Sequence, residues 1–518
     1  MTNTESFKDM EKDMPVCPIS ENCGGCIYQG VPYEEQLRSK DRIFRRLMDK
    51  YEVDPSVYQG MVPAIDRYRY RNKMEYTFGD LEKGGELTLG MHKKGFFMSI
   101  VTSDCCQLVP EDFNRILRGT LEFCRERGYR FYHKMSHEGL LRNLVVRRGV
   151  KTGELLVDIV TSSQEEFDED GFLAMLQGLE LDEKLVGVLH TVNDRVADAV
   201  IDEGTKILYG RDYYNEEILG LRFKVNVFSF FQTNIPAIER LYSNALELLP
   251  DIDSKNVFDL YCGTGTITQL MALKARHVTG IEIVQDSVDG AVESAGLNGI
   301  GNCDFICGDV LKVIGQVEEK PDMIVVDPPR AGMHDKVVDI LAGYGIPHIM
   351  YISCNPKTLC INLQRFKGRG YEPVYIKAYD NFPGTKHVET VVLLSHKAPD
   401  SHINVKVEFG EGKGKVPLDK IAERAEKYKP KEKVTYKKIK EYIEEKYGFK
   451  VHTAYIAEVK RAFGLPMYDA PNAVEKLKNR KAHPTKDKVR AITDALIHFE
   501  LISKKEASAV KIAHLSAI

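Results

Sequence analysis

No stretch of this chain is both uncharged and apolar for long enough to cross a bilayer, which excludes a membrane-spanning helix. The N-terminal residues are polar and of mixed charge, with none of the apolar core of a secretory leader. The eleven cysteines therefore do not read as a disulfide framework, because a reducing compartment keeps thiols free. The chain is expected in the cytoplasm, with no membrane partner. A strong net charge is also lacking, the formal total being −4. That small total conceals a basic tail: from Ser401 onward, 26 Lys and Arg face 16 Asp and Glu, which suits a polyanionic partner or a solvated helix pair equally well. With 518 residues, 43% hydrophobic and 29% charged, the chain has an ordinary soluble composition and room for about three domains.

The next absence is a third glycine. Val257 to Thr266 reads V-F-D-L-Y-C-G-T-G-T and runs into an apolar segment at helical spacing, giving a strand, a tight glycine turn and a helix start. The full G-x-G-x-x-G is not completed, so a cradle for a pyrophosphate is not built here. A series of strand-end acids comes after the turn. His277–Ile281 ends in Glu282, Cys307-Gly308 leads to Asp309, and Met323–Val326 leads to Asp327-Pro328-Pro329-Arg330. An acid roughly twenty residues after the glycine turn stands where such sheets meet ribose hydroxyls. This series looks like an S-adenosylmethionine (SAM) methyltransferase domain: a Rossmann-like α/β fold whose ligand lacks a pyrophosphate.

A second paired cysteine arm is missing too. Cys17, Cys23 and Cys26 form C-x5-C-x2-C with two glycines inside the tight loop. Three thiolates on such a loop can converge on one soft metal centre, with Cys105 or Cys106 as the fourth ligand. Structural zinc usually takes two C-x2-C arms, so the three-plus-one pattern favours a 4Fe–4S cluster over zinc.

Residues 32–52 read as an amphipathic helix with Leu37, Ile43, Phe44, Leu47 and Met48 near one face. Arg67-Tyr-Arg-Tyr-Arg-Asn-Lys73 interleaves cations with aromatics, which suits RNA phosphates and bases or else a charged edge strand. Residues 74–225 are mostly short β-type runs, with a helix near Asp112–Arg127. Phe228-Ser-Phe-Phe-Gln232-Thr-Asn234 precedes a helix from Ile235 to Leu249, leaving Gln232 where it can hydrogen-bond a ligand or belong to core packing. Further on, Tyr351-Ile-Ser-Cys354-Asn-Pro ends an apolar strand in a thiol, and His387-Val-Glu389-Thr begins one with an acid. A thiol there can be a nucleophile and a carboxylate a base. Beyond about Pro399 the chain turns Lys-rich. A helix from Thr435, its cap, to Tyr447 with Gly448 as its stop, and another over 453–464, resemble a helix-turn-helix or any helical hairpin.

Together these motifs resemble the RNA uracil-5 methyltransferases, particularly the bacterial 23S rRNA members that carry a 4Fe–4S cluster. The resemblance covers roughly residues 15–396 and rests on the cysteine loop, F-F-Q-T-N, D-L-Y-C-G-T-G-T, D-P-P-R, S-C-N-P and H-V-E-T. It implies Cys354 as nucleophile and Glu389 as base. It implies SAM contacts by Gln232, Tyr261, Glu282, Asp309 and Asp327. Cys17, Cys23, Cys26 and Cys106 would hold the cluster, Cys106 being preferred over Cys105 for the Gln107-Leu108 that comes after it.

The expected activity is SAM-dependent methylation of C5 of a uridine by a monomer, in 23S rRNA or alternatively in tRNA. The different-class alternative is a non-catalytic iron–sulfur RNA-binding protein. An aromatic after D-P-P would suggest amine methylation, but Arg330 stands there; a cytosine-5 enzyme would carry Pro-Cys rather than Cys-Asn-Pro. The expected organisation is an iron–sulfur loop region over 1–30 and a helix over 31–56 packed on the catalytic domain. A β-rich middle domain over 57–227, the catalytic domain over 228–396 and a basic helical extension over 400–518 complete it.

Overall fold

A computed structural model describes residues 14–196, 204–249, 252–317, 319–396, 436–463, 485–499 and 501–502. Two compact units divide after Ser401. The first unit opens with α1 (Tyr33–Lys50) and β1 (Tyr58–Val62). It continues through β2 (Lys73–Asp80), β3 (Leu87–Lys93), β4 (Phe96–Thr102), α2 (Glu111–Glu126), β5 (Leu141–Gly149), β6 (Glu154–Thr161), α3 (Glu169–Gln177), β7 (Lys184–Val192) and β8 (Thr205–Gly210). Strands β2 to β8 make one seven-stranded sheet in the order β4-β3-β2-β5-β6-β7-β8. Its central strands β5 and β6 are buried along nearly their whole length because α2 and α3 help enclose their apolar runs.

An antiparallel ribbon of β9 (Tyr213–Ile218) and β10 (Leu221–Asn226) comes next. Strict alternation along it buries Tyr214, Ile218, Leu221, Phe223 and Val225. The SAM-type half then runs as α4 (Ile235–Glu247), β11 (Asn256–Leu260), α5 (Thr266–Ala272), β12 (His277–Glu282), α6 (Gln285–Leu297), β13 (Cys303–Cys307), α7 (Val310–Val313), β14 (Met323–Val326), α8 (Asp335–Gly343), β15 (His348–Ser353), α9 (Pro356–Lys367), β16 (Tyr371–Tyr379) and β17 (Glu389–His396). Its sheet runs β1-β16-β17-β15-β14-β11-β12-β13. From β11 the chain moves outward through β12 and β13, then returns to β14 on the other side. Strand order therefore reverses at β11, and the carboxyl ends of β11 and β14 border the crevice where such sheets bind ligands. A Rossmann-like α/β fold with an additional β-rich sheet is thus present.

Two sequence expectations are corrected here. Residues 58–62, expected in the middle domain, instead form β1, which pairs in parallel with β16 and completes the edge of the catalytic sheet. On α1 the buried residues are Gln36, Lys40, Phe44 and Met48, at a strict spacing of four, while Ile43 is exposed. The apolar pair Phe44 and Met48 packs with Ile376, Leu359 and other catalytic-half residues. Lys40 occupies the same buried face because its ammonium meets Asp380 Oδ1 at 2.6 Å and donates to the carbonyls of Phe382 and His387, each at 3.1 Å.

The second unit holds helices Tyr436–Tyr447, Thr453–Ala462 and Lys486–His498 around Ile439, Ile443, Ile456, Val459, Ile492 and Leu496. The third helix extends the hairpin expected from sequence; the Thr435 cap lies outside the described residues.

Burial pushes the Lys40 ammonium down and the Asp380 carboxyl up, with their mutual attraction opposing both shifts. Removing one partner strands the other charge in a dry site. Lys40→Met is expected to lower unfolding stability by about 3–5 kcal/mol, and Lys40→Met with Asp380→Leu to recover part of it. Urea unfolding measures both; an unchanged midpoint in the single variant would refute the role.

Candidate active site

At the end of β11 the backbone turns through three left-handed residues, Tyr261 (φ 65°), Gly263 (φ 55°) and Gly265 (φ 73°). A Cβ on Gly265 would lie 2.6 Å from the Phe305 ring, so the turn needs glycine for space as well as for φ. The N–H groups of Tyr261 and Cys262 both donate to the Ile281 carbonyl, at 2.9 and 3.1 Å, and pin the turn over β12. Glu282 is held at the end of β12 by three backbone N–H donors. Gly263 reaches its Oε2 at 3.1 Å, while Ile283 and Val284 reach Oε1 at 2.8 and 3.0 Å. Behind the turn, buried Asp259 accepts the Thr268 hydroxyl at 2.6 Å and ties β11 to α5.

Asp327 stands just past β14, and the Asp327 N–H donates to the Leu260 carbonyl at 3.2 Å, fixing the two strand ends side by side. Asn355 links the next strand end to the D-P-P-R turn, its Nδ2 donating to the Arg330 carbonyl at 2.8 Å. Strand β17 runs antiparallel between β15 and β16, with Ser353 paired to Thr390. Continuing that register by one residue sets Cys354 opposite Glu389. The two residues lie 35 positions apart in the chain, and this strand insertion brings them to one pocket.

One pocket is lined by Gln232, Tyr261, Glu282, Asp327, Cys354 and Glu389. Phe228, Phe230, Phe231 and Tyr242 add aromatic wall, and Gln232 Nε2 donates to the Tyr242 hydroxyl at 3.2 Å. Asp309 is not among the lining residues: its carboxylate accepts the Leu311 N–H at 2.9 Å and caps α7, although its charge acts on Tyr261. Arg330 and His387 also line the pocket, with the guanidinium 2.7 Å from His387 Nδ1. Sequence reasoning missed their partnership; the only signal was that each stands beside a motif acid, in D-P-P-R and H-V-E-T. Burial, then the cations Arg330 and Arg71, push the His387 imidazole down to about 4, so the ring is neutral at physiological pH.

Burial dominates the electrostatics of the pocket, and neighbouring acids add to it at Asp327 and Cys354. Burial, then the charges of Glu389 and Asp259, raise Asp327 well above the usual carboxylate range. Burial raises Glu389 to about 7, with Arg330 pulling the other way. Cys354 is lifted to about 11 by burial and then by Glu389 and Asp327, again against Arg330. Such a pocket holds protons while empty and favours a cation among its acids.

The cysteine loop forms a second pocket, lined by Cys17, Cys23, Cys26 and Cys106 with Met74, Met91, Leu108 and Arg71. Cys105 does not line it. Burial raises Cys106 to about 12. As the side chains stand, no group of three or more His, Cys, Asp or Glu among the described residues is arranged to hold a metal ion. The cysteine loop is tied to the segment before β17 through Gly384, whose carbonyl accepts the N–H groups of Ile27 and Tyr28 at 2.9 and 3.2 Å. The Arg67–Lys73 stretch braces the same region. Tyr70 is buried with its hydroxyl donating to the Pro383 carbonyl at 3.0 Å, and Arg71 lines the thiol pocket, which leaves Arg69 as the exposed cation.

Comparison with known proteins bears on this geometry. Residues 310–397 match the tRNA (Uracil-5-)-methyltransferase family model, and 257–338 match a methyltransferase domain model. An uncharacterized RNA methyltransferase of Clostridium acetobutylicum is 48% identical over 383 residues, covering 74% of this chain and 84% of that protein. One from Bacteroides thetaiotaomicron is 34% identical, covering 74% and 87%. The Pyrococcus abyssi tRNA (uracil-54, C5)-methyltransferase in complex with S-adenosyl-L-homocysteine superposes with a TM-score of 0.59 at 26% identity, covering 72% of this chain and 84% of that one.

Because burial favours the neutral acid, Glu389 is expected to be protonated below about pH 7 and ionised above it. The protonated-carboxyl infrared band that Glu389→Gln abolishes should fade through that midpoint. Loss of the band near pH 4, as in an exposed glutamate, would contradict the assignment.

Proposed function

Since the chain belongs to the RNA uracil-5-methyltransferase family, we propose that it methylates C5 of a specific uridine in 23S rRNA, as a cytoplasmic monomer. The observation that carries this reading is that Cys354 and Glu389 line one pocket with the residues of the β11–β14 crevice. A tRNA uridine is the second reading, favoured by the description of the matching family model and by the Pyrococcus abyssi neighbour.

SAM, when bound, supplies an electrophilic methyl group and a positively charged sulfonium. Glu282 and Gln232 would take polar contacts from it, Tyr261 would pack on it, Asp327 would meet its positive end, and Asp309 would act through its charge on Tyr261. A cation beside Asp327 and Glu389 would offset the acid charge that adds to burial in keeping Cys354 protonated, so the thiol would become easier to ionise. The Cys354 thiolate then adds to C6 of uracil, forming the S–C6 bond and moving the C5–C6 electron pair onto C5 and O4 as an enolate. C5 would take the methyl group that bound SAM supplies, the new C5–methyl bond replacing the methyl–sulfur bond. Glu389, in its ionised form, takes the C5 proton, the C5–C6 double bond reforms and the thiolate leaves. Arg330 opposes protonation of both groups. His387, neutral and hydrogen-bonded to Arg330, keeps that guanidinium over the pocket.

The four thiols of the second pocket suit a 4Fe–4S cluster. Its lining holds sulfur donors, no carboxylate or imidazole, and one cation, Arg71, to balance thiolate charge. Cys17, Cys23, Cys26 and Cys106 would hold the group, whose contribution would be a covalent tie between the loop and the β-rich sheet. Methyl transfer itself needs no electron.

Two outcomes test these readings. RNA carrying 5-fluorouridine should trap a denaturant-resistant adduct with SAM present, because fluorine at C5 cannot leave as a proton. Cys354→Ala should abolish the adduct, and Glu389→Gln should accumulate one with ordinary uridine. A Cys354→Ala protein that still methylates refutes the mechanism. Anaerobically purified protein should be brown with about four irons per chain; colourless protein with a single zinc refutes the cluster.

A further inference from the structure

The β3–β4 hairpin exposes apolar side chains that neither pocket uses. Phe96 and Phe97 are each 62% exposed, Met98 is 47% exposed, and Met135 on the neighbouring loop is 76% exposed. β4 is the edge strand of its sheet, where an exposed apolar row invites pairing with another chain. The cause is a bulge. Lys93 pairs with Phe96 and His92 with Ile100, so Phe97, Met98 and Ser99 stand between these pairs with no residue opposite. Bulges re-aim side chains and break the edge for strand addition. Here the bulge turns two phenylalanines outward instead of leaving a continuous strand edge.

The surroundings of the rings are cationic and aromatic. The His92 imidazole stacks on Phe97 with centroids 4.7 Å apart and planes within 12°. Lys134 Nζ lies 4.4 Å from the Phe97 centroid and Lys93 Nζ lies 5.5 Å from that of Phe96. Lys94 stands at the tip of the turn. The tip is held by the cysteine loop, since Gly24 N–H donates to the His92 carbonyl at 2.9 Å, Lys94 N–H to Asn22 at 2.8 Å and Lys94 Nζ to Ser20 at 2.5 Å.

We propose that the bulged β3–β4 hairpin is a stacking platform for unpaired nucleotides of the RNA substrate, with Phe96 and Phe97 taking bases and Lys93 and Lys134 the adjoining phosphates. The chemistry selects this occupant. Bases extend an existing ring stack without needing a particular sequence, and lysines beside the rings meet the backbone that accompanies them. A protein partner for an apolar patch would not call for three cations around two rings. The cysteine loop is then a brace that fixes the platform relative to Gly384 and the catalytic strand. This inference rests on the RNA substrate proposed above.

The test is fluorescence anisotropy of the full chain with a short fluorescein-labelled oligouridylate and with an rRNA transcript, alongside 5-fluorouridine trapping. Phe96→Ala with Phe97→Ala should weaken RNA binding roughly tenfold or more. It should raise KM for the transcript and leave kcat, SAM binding and adduct formation at saturating RNA unchanged. Phe96→Tyr with Phe97→Tyr should restore binding, because a phenol ring still stacks. Lys134→Gln should flatten the salt dependence of oligouridylate binding by about 0.7 in the log–log slope. Equal RNA affinity of the alanine and wild-type proteins, or an alanine variant that differs only by losing self-association in sedimentation, overturns the platform. Loss of trapping in the wild type would instead overturn the proposed function.

Discussion

The catalytic half depends on one buried ion pair. Lys40 and Asp380 are both fully enclosed, and the Lys40 ammonium also closes on two carbonyls of the segment that leads into β17. Two charges in a dry site gain little over a hydrophobic replacement in net stability, but each makes the other indispensable. The geometric result is large. Asp380 comes directly after β16 and Lys40 sits mid-way along α1, so the pair clamps the N-terminal helix to the loop that carries His387 toward Glu389. Tyr33 adds a hydrogen bond to Asp380 at 3.0 Å, and Gln36 accepts from the Gly384 N–H at 3.1 Å. One face of α1 therefore sets where the catalytic strand begins.

The site that this clamp positions is quiet by construction. Burial raises the proton affinity of Asp327, Glu389 and Cys354 in this pocket, and neighbouring acid charge adds to it at Asp327 and Cys354. Arg330 is the cation that works against them, yet it is exposed and shares its charge with His387. A thiol near 11 is protected from oxidation and from stray electrophiles. In the mechanism proposed above, reactivity would arrive with a ligand that brings positive charge, coupling cofactor binding to activation of the thiol.

Local chemistry made much of this legible. The Gly263–Gly265 turn, the acids at the ends of β12 and β14 and the thiol after β15 are each written in fewer than about ten consecutive residues, as strand-to-turn signals usually are. Pairing across long separations was not legible. Nothing around Tyr58–Val62 reports that it will join a sheet whose other members begin two hundred residues later. The Lys40 position did carry a signal, since a lysine at i+4 from Gln36 and i−4 from Phe44 lies on the stripe that ends in Met48; reading only apolar residues places exposed Ile43 on that face instead. Asp309 resembles Glu282 and Asp327 in sequence because all stand at strand ends. The difference lies in the next turn, where Asp309 is consumed as a helix cap. The arginine–tyrosine run shows only its charge in sequence, while its backbone and ring positions make it an internal brace.

Because β17 is the last strand among the described residues of the first unit and is inserted between β15 and β16, the site acquires an order of assembly. A ribosome delivers α1, the cysteine loop and the whole β-rich sheet before it delivers Asp380 or Glu389. Until β17 has emerged, β15 lacks its antiparallel neighbour and Cys354 lacks Glu389. A chain grown only as far as β16 therefore lacks the Cys354–Glu389 arrangement, and the proposed activity would wait for β17 to close the sheet between β15 and β16.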